Sequence, residues 1–238
     1  MTTRRLVISR SAALVGAAST GLLLPSIVRA QSGKVRVGFM LPYTGTYAAL
    51  GTAMTNGFKQ YVAENGGKLG GREVEFFKVD DESDPSKAID NVNKLIKRDN
   101  VDVLIGSVHS GVAMAMAKAA KESGTVLIVP NAGADAVTGP MCAPNIFRSS
   151  FSNWQTAYPM GVVAAKEGKK NAMTLTWKYA AGEEAVNGFK EGFEKGGGKV
   201  SKQLTVPFPN VEFQALLTEI AALKLEIEGG RNPKDAKV

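Results

Sequence analysis

The sequence predicts an α/β fold with doubly wound parallel sheets. Short apolar runs at 35–41, 101–105 and 125–129 have the composition of strands that are buried on both faces of a sheet. Helical segments of about ten to fifteen residues alternate with these runs, which is typical of parallel strands joined by right-handed crossovers. Each run ends in a polar loop that contains glycine, at the sheet edge where α/β proteins bind ligands.

Strands and helices are predicted in alternation from residue 35 onward. The first helix has Leu50, Met54 and Phe58 at helical spacing, and Gly51 and Gly57 mark places where it can lie close against the sheet. In order, the predicted elements are strand 35–41, helix 48–65, strand 73–79, a helix that starts at Pro85, strand 101–105, helix 113–122 and strand 125–129.

Capping residues predict where two of these helices begin and end. Asp84 followed by Pro85 is an N-cap acceptor with proline at the first helical position. Ser110 is the predicted N-cap of the helix over 113–122, and Gly124 is its predicted C-cap.

Residues 1–30 have the pattern of an export signal. Arg4 and Arg5 precede an apolar run that is too short to cross a bilayer, and Val28, Arg29 and Ala30 form a small-x-small cleavage pattern. The adjacent arginines also permit the twin-arginine route. We therefore expect cleavage after Ala30 and a periplasmic location.

Charge and cysteine content give no indication of a nucleic-acid partner and leave no possibility of an internal disulfide. The formal charge of +7 includes four arginines within residues 1–30, and subtracting them leaves +3, which does not indicate a nucleic-acid partner. Cys142 is the only cysteine, so no internal disulfide can form. We expect a buried free thiol there, because no catalytic partner lies near it in the sequence.

An acidic turn over 80–84 carries four carboxylates in five positions. A calcium loop is one interpretation, but the glycine and the distal glutamate of such a loop are missing. A solvated turn, in which Asp84 is the capping residue, is the favoured interpretation.

Two polar loops follow neighbouring predicted strands and are expected to converge. Residues 107–111 follow one strand and residues 130–135 follow the next. A helix that starts after the first loop offers free N–H groups to an anion, so residues 107–111 are predicted to form half of a binding site for a small carboxylate. Ordinary turn and capping chemistry accounts for the same residues, and both interpretations stay open on spacing alone.

Several motifs together carry a resemblance to a known family. They are ENGGKLGGREVEFFKVDDESDPSKAIDNVNKLI, IGSVHSGVA, VPNAGADA and NIFRSSFSNWQTAYPMG. Their order over about 34–224 resembles the type I periplasmic binding proteins of the branched-chain amino-acid class, the leucine-binding protein family, which are solute receptors of ABC importers. FRSSFSNWQ and WKYAAGEE are most similar to receptors for aromatic and related carboxylic acids.

The resemblance implies two lobes. The N-terminal ligand-binding lobe would cover 31–150, end in a strand at 145–150 and be followed by a partial C-terminal lobe over 151–224. The elements expected there are helix 152–166, strand 172–177, helix 183–195, strand 199–206 and helix 211–223 capped by Asn210. Residues 225–238 are charged and lack a strand pattern, so we expect an irregular tail and an incomplete second lobe.

The resemblance also implies a set of ligand-binding residues. Tyr179 would close over the ligand from the second lobe, and Tyr47 would line the side of the pocket. The ligand carboxylate would be held by hydroxyl and backbone N–H groups of Ser110, Gly111, Asn131 and Gly133.

Two further residues are candidates for contact with the ligand. His109 is the only histidine, and packing beside the pocket or one hydrogen bond to the ligand is favoured over a catalytic role, because no partner can be named. Lys178 stands where an amino-acid receptor of this family often has an acidic residue, so a carboxylate without an ammonium group is favoured. Trp177, Phe151 and Trp154 could stack on a ring, although aromatic residues in strands and helices more often belong to the core.

The sequence therefore predicts a monomeric solute-binding protein that is not an enzyme and uses no cofactor and no metal. It would capture a small carboxylate, either a branched-chain amino acid or an aromatic acid, and deliver it to an ABC permease in the inner membrane. Two alternatives stay open. One is a truncated remnant or interaction domain that binds no ligand. The other is a Rossmann-like enzyme, which GFMLPYTG argues against because it lacks GxGxxG.

Overall fold

A six-stranded sheet occupies the first part of the chain in the computed structural model, which describes residues 33–227. Its strands are β1 (Val35–Leu41), β2 (Lys68–Leu69), β3 (Arg72–Asp80), β4 (Val103–Ile105), β5 (Val126–Val129) and β6 (Ile146–Arg148). They lie in the order β2-β3-β1-β4-β5-β6, and all neighbours are parallel except β2, which is antiparallel to β3. The predicted doubly wound parallel sheet is confirmed.

Helices cover both faces of this sheet. They are α1 (Ala48–Glu64), α2 (Pro85–Asn93), which continues into a π-helical turn at Lys94–Arg98, α3 (Ser110–Ser123) and α4 (Asp135–Thr138). Val37, Phe39 and Leu41 of β1 pack on one face with side chains of α1, while Met40 packs on the other face with α2 and α3. The alternation along β1 buries both sets of side chains, which explains its almost continuous apolar sequence.

A second, two-stranded parallel sheet follows. It pairs β7 (Asn171–Trp177) with β8 (Lys199–Val206), and it packs with α5 (Asn153–Lys166) and α6 (Ala180–Lys195), before α7 (Gln214–Ile227). Glycines let α5 and α6 approach closely. A Cβ on Gly161 would lie 2.1 Å from the carbonyl oxygen of Phe189, and one on Gly192 would lie 2.3 Å from that of Tyr158.

Most predicted elements are present, and several boundaries differ. The bounds of β1 and β8 are as predicted, whereas β2 was not predicted because only two residues form it before the turn at Gly70 and Gly71. α6 begins at Ala180 rather than at residue 183, and Tyr179 is its N-cap residue.

Two of the predicted caps are confirmed and two are wrong. Asp84 accepts the Ser86 N–H, and Gly124 adopts the left-handed conformation at the C-cap. Ser110 is inside α3, since the imidazole of His109 is the capping acceptor. Asn210 does not cap α7, because its side chain accepts the Glu212 N–H in the loop before that helix.

Two other predictions about single residues are wrong. A Cβ on Gly51 would clash with the backbone of Pro42, as a close approach requires, but a Cβ on Gly57 would meet nothing within 4 Å. Cys142 is exposed rather than buried, because it lies in the turn between α4 and β6.

The predicted export signal lies outside the described residues. Residues 225–227 belong to α7 and are not irregular, while the rest of the predicted tail also lies outside the described part of the chain. None of the helices within residues 33–227 combines the length and the hydropathy needed to cross a membrane.

Candidate functional site

A cavity of about 520 Å³ lies between the two sheets. Every residue that lines it follows the carboxyl end of a strand, namely β3, β4, β7 or β8. This is the edge at which open α/β sheets bind ligands. The lining residues are Glu82, Ser83, Asp84, Pro85, His109, Lys178, Tyr179, Pro207, Phe208 and Pro209.

An aromatic cluster is made of Tyr47, His109, Tyr179 and Phe208, and all of these except Tyr47 line the cavity. The imidazole of His109 stacks on the ring of Tyr179 with 4.6 Å between centroids, and Phe208 stacks on Tyr47 at 5.6 Å. Phe208 also lies 5.1 Å from His109 and 5.4 Å from Tyr179. Because Tyr47 and His109 follow strands of the first sheet and the other two follow strands of the second, the cluster joins the two sheets.

The hydroxyl groups of Tyr47 and Tyr179 meet within this cluster. Their oxygen atoms lie 3.1 Å apart. Burial raises the pKa of Tyr179 well above its usual value, and the hydrogen bond with Tyr47 adds to the rise. The Tyr179 hydroxyl is therefore protonated at any physiological pH and can donate a hydrogen bond.

His109 is a neutral imidazole at the base of the cluster. Only 4% of it is exposed, and this burial lowers its pKa to about 4. Its Nδ1 accepts the backbone N–H of Gly111 at 3.1 Å, so the proton of the neutral ring is on Nε2. His109 therefore lines the cavity as an uncharged side chain whose ring N–H is on Nε2.

The acidic turn over 80–84 forms hydrogen bonds with neighbouring loops and is not the solvated turn that was predicted. Asp81 is fully buried, accepts hydrogen bonds from the Ser107 hydroxyl and from the Ser83 N–H, and has a pKa raised by burial. Asp80 accepts the N–H of Tyr43 at 2.9 Å and the hydroxyl of Thr44 at 2.8 Å. The two carboxylates join loops that follow β1, β3 and β4.

Ser83 is a cavity residue whose hydroxyl is unused. Only 6% of the residue is exposed, and its buried Oγ has no hydrogen-bond partner within the described part of the chain. A buried hydroxyl without a partner is costly unless a ligand or water completes it.

The four residues predicted to grip a carboxylate are not in the cavity lining. Ser110 is 1% exposed and Gly133 is buried, and both lie against Asn153 at the start of α5. The Asn153 N–H donates to the Gly133 carbonyl at 2.8 Å, and its side-chain amide lies 3.4 Å from the Ser110 hydroxyl. Gly111 supports His109, and Asn131 lies outside the lining.

The other predicted residues lie near one another, beyond the carboxyl ends of the strands. His109, Lys178 and Tyr179 line the cavity, and Tyr47 contacts Tyr179. Of the three aromatic candidates, Trp177 packs edge-on against Phe208 at 5.2 Å, while Trp154 stacks on Tyr158 at 4.5 Å. Phe151 is 44% exposed.

Sequence reasoning missed Phe208 and Ser83. Phe208 follows the carboxyl end of β8, so the rule that singled out the other loops would have found it. Ser83 also follows the carboxyl end of a strand, β3, but its burial could not be predicted, since that depends on Asp81 and not on the local sequence. Within residues 33–227 no group of three or more His, Cys, Asp and Glu side chains could hold a metal ion.

The arrangement suits a flat, apolar ring that carries a negative group. The rings of His109, Tyr179 and Phe208 line the cavity together with the cationic side chain of Lys178. The carboxylates of Glu82 and Asp84 also belong to the lining. Among the described residues Lys178 forms no ion pair, whereas Glu82 is paired with Lys87 at 2.7 Å.

Comparison with known proteins gives one family and many similar structures. The model of the periplasmic binding protein family matches residues 34–235. A Leu/Ile/Val-binding protein homolog from Brucella abortus is 29% identical over 187 residues, which are 78% of this chain and 47% of the relative.

Three solved structures are similar over about four fifths of the chain. A solute-binding protein of an ABC transporter from R. palustris, in complex with benzoate, is 58% identical with a TM-score of 0.78, over 81% of this chain and 53% of that one. A Rhodopseudomonas palustris BisB5 protein in complex with 3,4-dihydroxybenzoic acid is 33% identical with a TM-score of 0.74, over 80% and 52%. A leucine-binding protein from Thermotoga maritima is 26% identical with a TM-score of 0.71, over 80% and 54%. The chain spans about half the length of the proteins it matches.

Proposed function

The chain belongs to the periplasmic binding protein family, and from that premise we propose that it is an exported solute receptor that binds a small aromatic carboxylate. Its fold is that of the type I periplasmic binding proteins, and its relatives are solute-binding proteins of ABC transporters. Benzoate and its hydroxylated derivatives are the proposed ligand class.

The observation that carries the proposal is the aromatic cluster around a cavity that also contains Lys178. The rings of His109, Tyr179 and Phe208 line the cavity, and aromatic rings pack against a ligand ring by stacking or edge contacts. The volume of about 520 Å³ lies within the range of small-molecule sites and exceeds what one benzoate needs.

Lys178 supports a carboxylate over an amino acid. Its ammonium group can neutralise a carboxylate but would repel the ammonium of leucine. Glu82 and Asp84 also line the cavity, but Glu82 is paired with Lys87, and Asp84 accepts two hydrogen bonds from Ser86. The His109 N–H and the Ser83 hydroxyl are the neutral groups proposed to complete the binding of the carboxylate or of a ring hydroxyl.

The proposed mechanism is capture by one lobe and closure of the other. The lobe boundary near residue 150 separates the six-stranded sheet from the two-stranded sheet, and residues of both line the cavity. A ligand that contacts both lobes stabilises the closed arrangement, which an ABC permease would then recognise. We propose a periplasmic monomer with a cleaved export signal and with no catalytic activity.

A thermal melt of the purified protein tests this function directly. Benzoate at about a hundred times its dissociation constant should add about 2.7 kcal/mol to the free energy of unfolding and raise the Tm. Leucine should leave the Tm unchanged. A shift with leucine alone would assign the protein to amino acids, and a cooperative melt that no carboxylate shifts would favour a chain that binds no ligand.

A lysine variant tests the role assigned to charge. Lys178→Met should weaken benzoate binding by about fivefold, because a partly exposed ion pair is worth about 1 kcal/mol. Lys169→Met removes an exposed lysine in the turn before β7 and should change nothing. Equal affinities for both variants would remove Lys178 from the site.

A further inference from the structure

The geometry points to Glu184 as a positioning residue for ligand capture, whose carboxylate latches the second lobe onto the first. This inference rests on the proposed function, since it concerns the closure that holds a ligand. Glu184 does not line the cavity, so its effect on binding would act through the relative position of the lobes.

The carboxylate of Glu184 crosses from one lobe to the other. Glu184 lies in α6, which packs on the two-stranded sheet, and its two oxygens accept the backbone N–H of Asp135 at 3.1 and 3.2 Å. Asp135 starts α4, just after β5 of the six-stranded sheet. The side-chain amide of Asn153 donates to the same carboxylate at 2.6 Å.

Asn153 also contacts the loops that follow β4 and β5. Its backbone N–H donates to the Gly133 carbonyl at 2.8 Å, and its amide lies 3.4 Å from the Ser110 hydroxyl. A Cβ on Gly133 would lie 2.3 Å from the Asn153 side-chain oxygen, so only glycine permits this approach. Two of the residues that the sequence assigned to a ligand carboxylate, Ser110 and Gly133, therefore contact Asn153, which itself donates to a carboxylate of the protein.

The first lobe holds the donor of this contact, the Asp135 N–H, in place. The guanidinium of Arg148 donates to the Ala134 carbonyl at 2.7 Å, which fixes the backbone next to Asp135. The N–H of Trp154 lies 3.5 Å from the Asp135 carboxylate and adds a second crossing contact. The two bonds to Glu184 are shorter than the Trp154 contact, and bonds to a carboxylate are stronger than neutral ones, so we select Glu184 for the test.

The latch predicts a specific kinetic effect. Ligand enters while the lobes are apart, so a contact that forms only on closure changes the dissociation rate and not the association rate. A lower closed population reduces the apparent affinity in the same proportion.

Stopped-flow measurement of benzoate binding to Glu184→Gln tests the latch. We expect dissociation to become about tenfold faster, with an unchanged association rate. Glu183→Gln is the matched control, because it removes the same charge from the neighbouring, exposed position of α6 and should leave both rates unchanged. Small-angle scattering should show a larger radius of gyration for benzoate-saturated Glu184→Gln than for the wild type.

A second variant keeps the test decisive if the first one folds poorly. Asn153→Ala removes the other donor and should also accelerate dissociation, and the double variant should add little because both changes break one network. Wild-type binding with unchanged dissociation in both variants would overturn the latch alone. Tighter binding by Glu184→Gln would also overturn it, because Glu184 would then compete with the ligand. Wild-type protein that binds no carboxylate would overturn the proposed function and the latch together.

Discussion

His109 combines three roles in one side chain. It caps α3 through Nδ1, stacks on Tyr179 and lines the cavity. The capping role needs a neutral ring, because a protonated Nδ1 cannot accept the Gly111 N–H, and burial keeps the ring neutral by lowering its pKa to about 4. Charging this imidazole would therefore disturb the start of the helix.

This burial predicts how stability depends on pH. The pKa of His109 is 6.5 in the unfolded chain and about 4 in the folded one, so the unfolded state binds a proton first as the pH falls. The contribution of His109 to the free energy of unfolding is complete above pH 6.5, the pKa in the unfolded chain. It is lost as the pH falls toward about 4, the pKa in the folded protein. From about pH 7 to about pH 5 the free energy of unfolding should fall by about 2 kcal/mol more in wild type than in His109→Gln.

Urea unfolding at the two pH values measures this difference. The variant is expected to be less stable at pH 7, because it loses the cap, and only the change between the two pH values carries the prediction. Parallel losses in wild type and variant would show that the imidazole titrates normally in the folded protein.

Local chemistry predicted some residues of the site and not others. The N-cap role of Asp84 was predictable because its partner Ser86 is two positions away. The burial of Asp81 depends on Ser107, 26 positions away, and the position of Glu184 depends on Asp135, 49 positions away. Sequence spacing carries no information about such partners until the sheet order is known.

The close packing of α1 against the loop after β1 predicts how one glycine substitution affects stability. A Cβ on Gly51 would lie 1.8 Å from the Pro42 carbonyl oxygen, which is backbone and cannot rotate away. Gly51→Ala should therefore lower the free energy of unfolding by about 2 kcal/mol or more.

Gly57 is the matched control in the same helix. It is exposed, and a Cβ there meets nothing within 4 Å. Gly57→Ala should raise the free energy of unfolding by about 0.5–1 kcal/mol through helix propensity. Chemical denaturation of both variants checks the pair, and effects of the same sign would contradict the close approach.

Element boundaries were predicted correctly where one sequence pattern extends over the whole element. β1 is apolar except for Arg36, so its ends are sharp in the sequence and in the structure. The start of α6 was misplaced because Tyr179, Ala180 and Ala181 resemble a loop after a strand, although they begin the helix. Tertiary packing against Thr176 and Trp177, which a Cβ on Gly182 would contact, decided that boundary.

The two sheets differ in how well they are covered. β1 has neighbours on both sides and is mostly buried, whereas β8 has one neighbour among the described strands and is largely exposed. Two-stranded sheets are marginally stable without further cover. Amide protons of β7 and β8 should therefore exchange with deuterium faster than those of β1, β4 and β5.

Hydrogen–deuterium exchange with and without benzoate checks this difference. The ligand should slow exchange in β7 and β8 more than in the first sheet, because it joins the less stable part of the molecule to the more stable part. Uniform exchange rates across both sheets would contradict the expected order.

Trp177 lies where its fluorescence should change when a ligand binds in the cavity. The chain has two tryptophans, and Trp177 packs edge-on against Phe208 while its Nε1–H donates to the Asn210 carbonyl at 2.8 Å. Trp154 stacks on Tyr158 and donates to Glu191, away from the cavity lining. A ring that enters beside Phe208 changes the surroundings of one indole and leaves the other as an internal reference. Intrinsic fluorescence can therefore follow binding without an attached label.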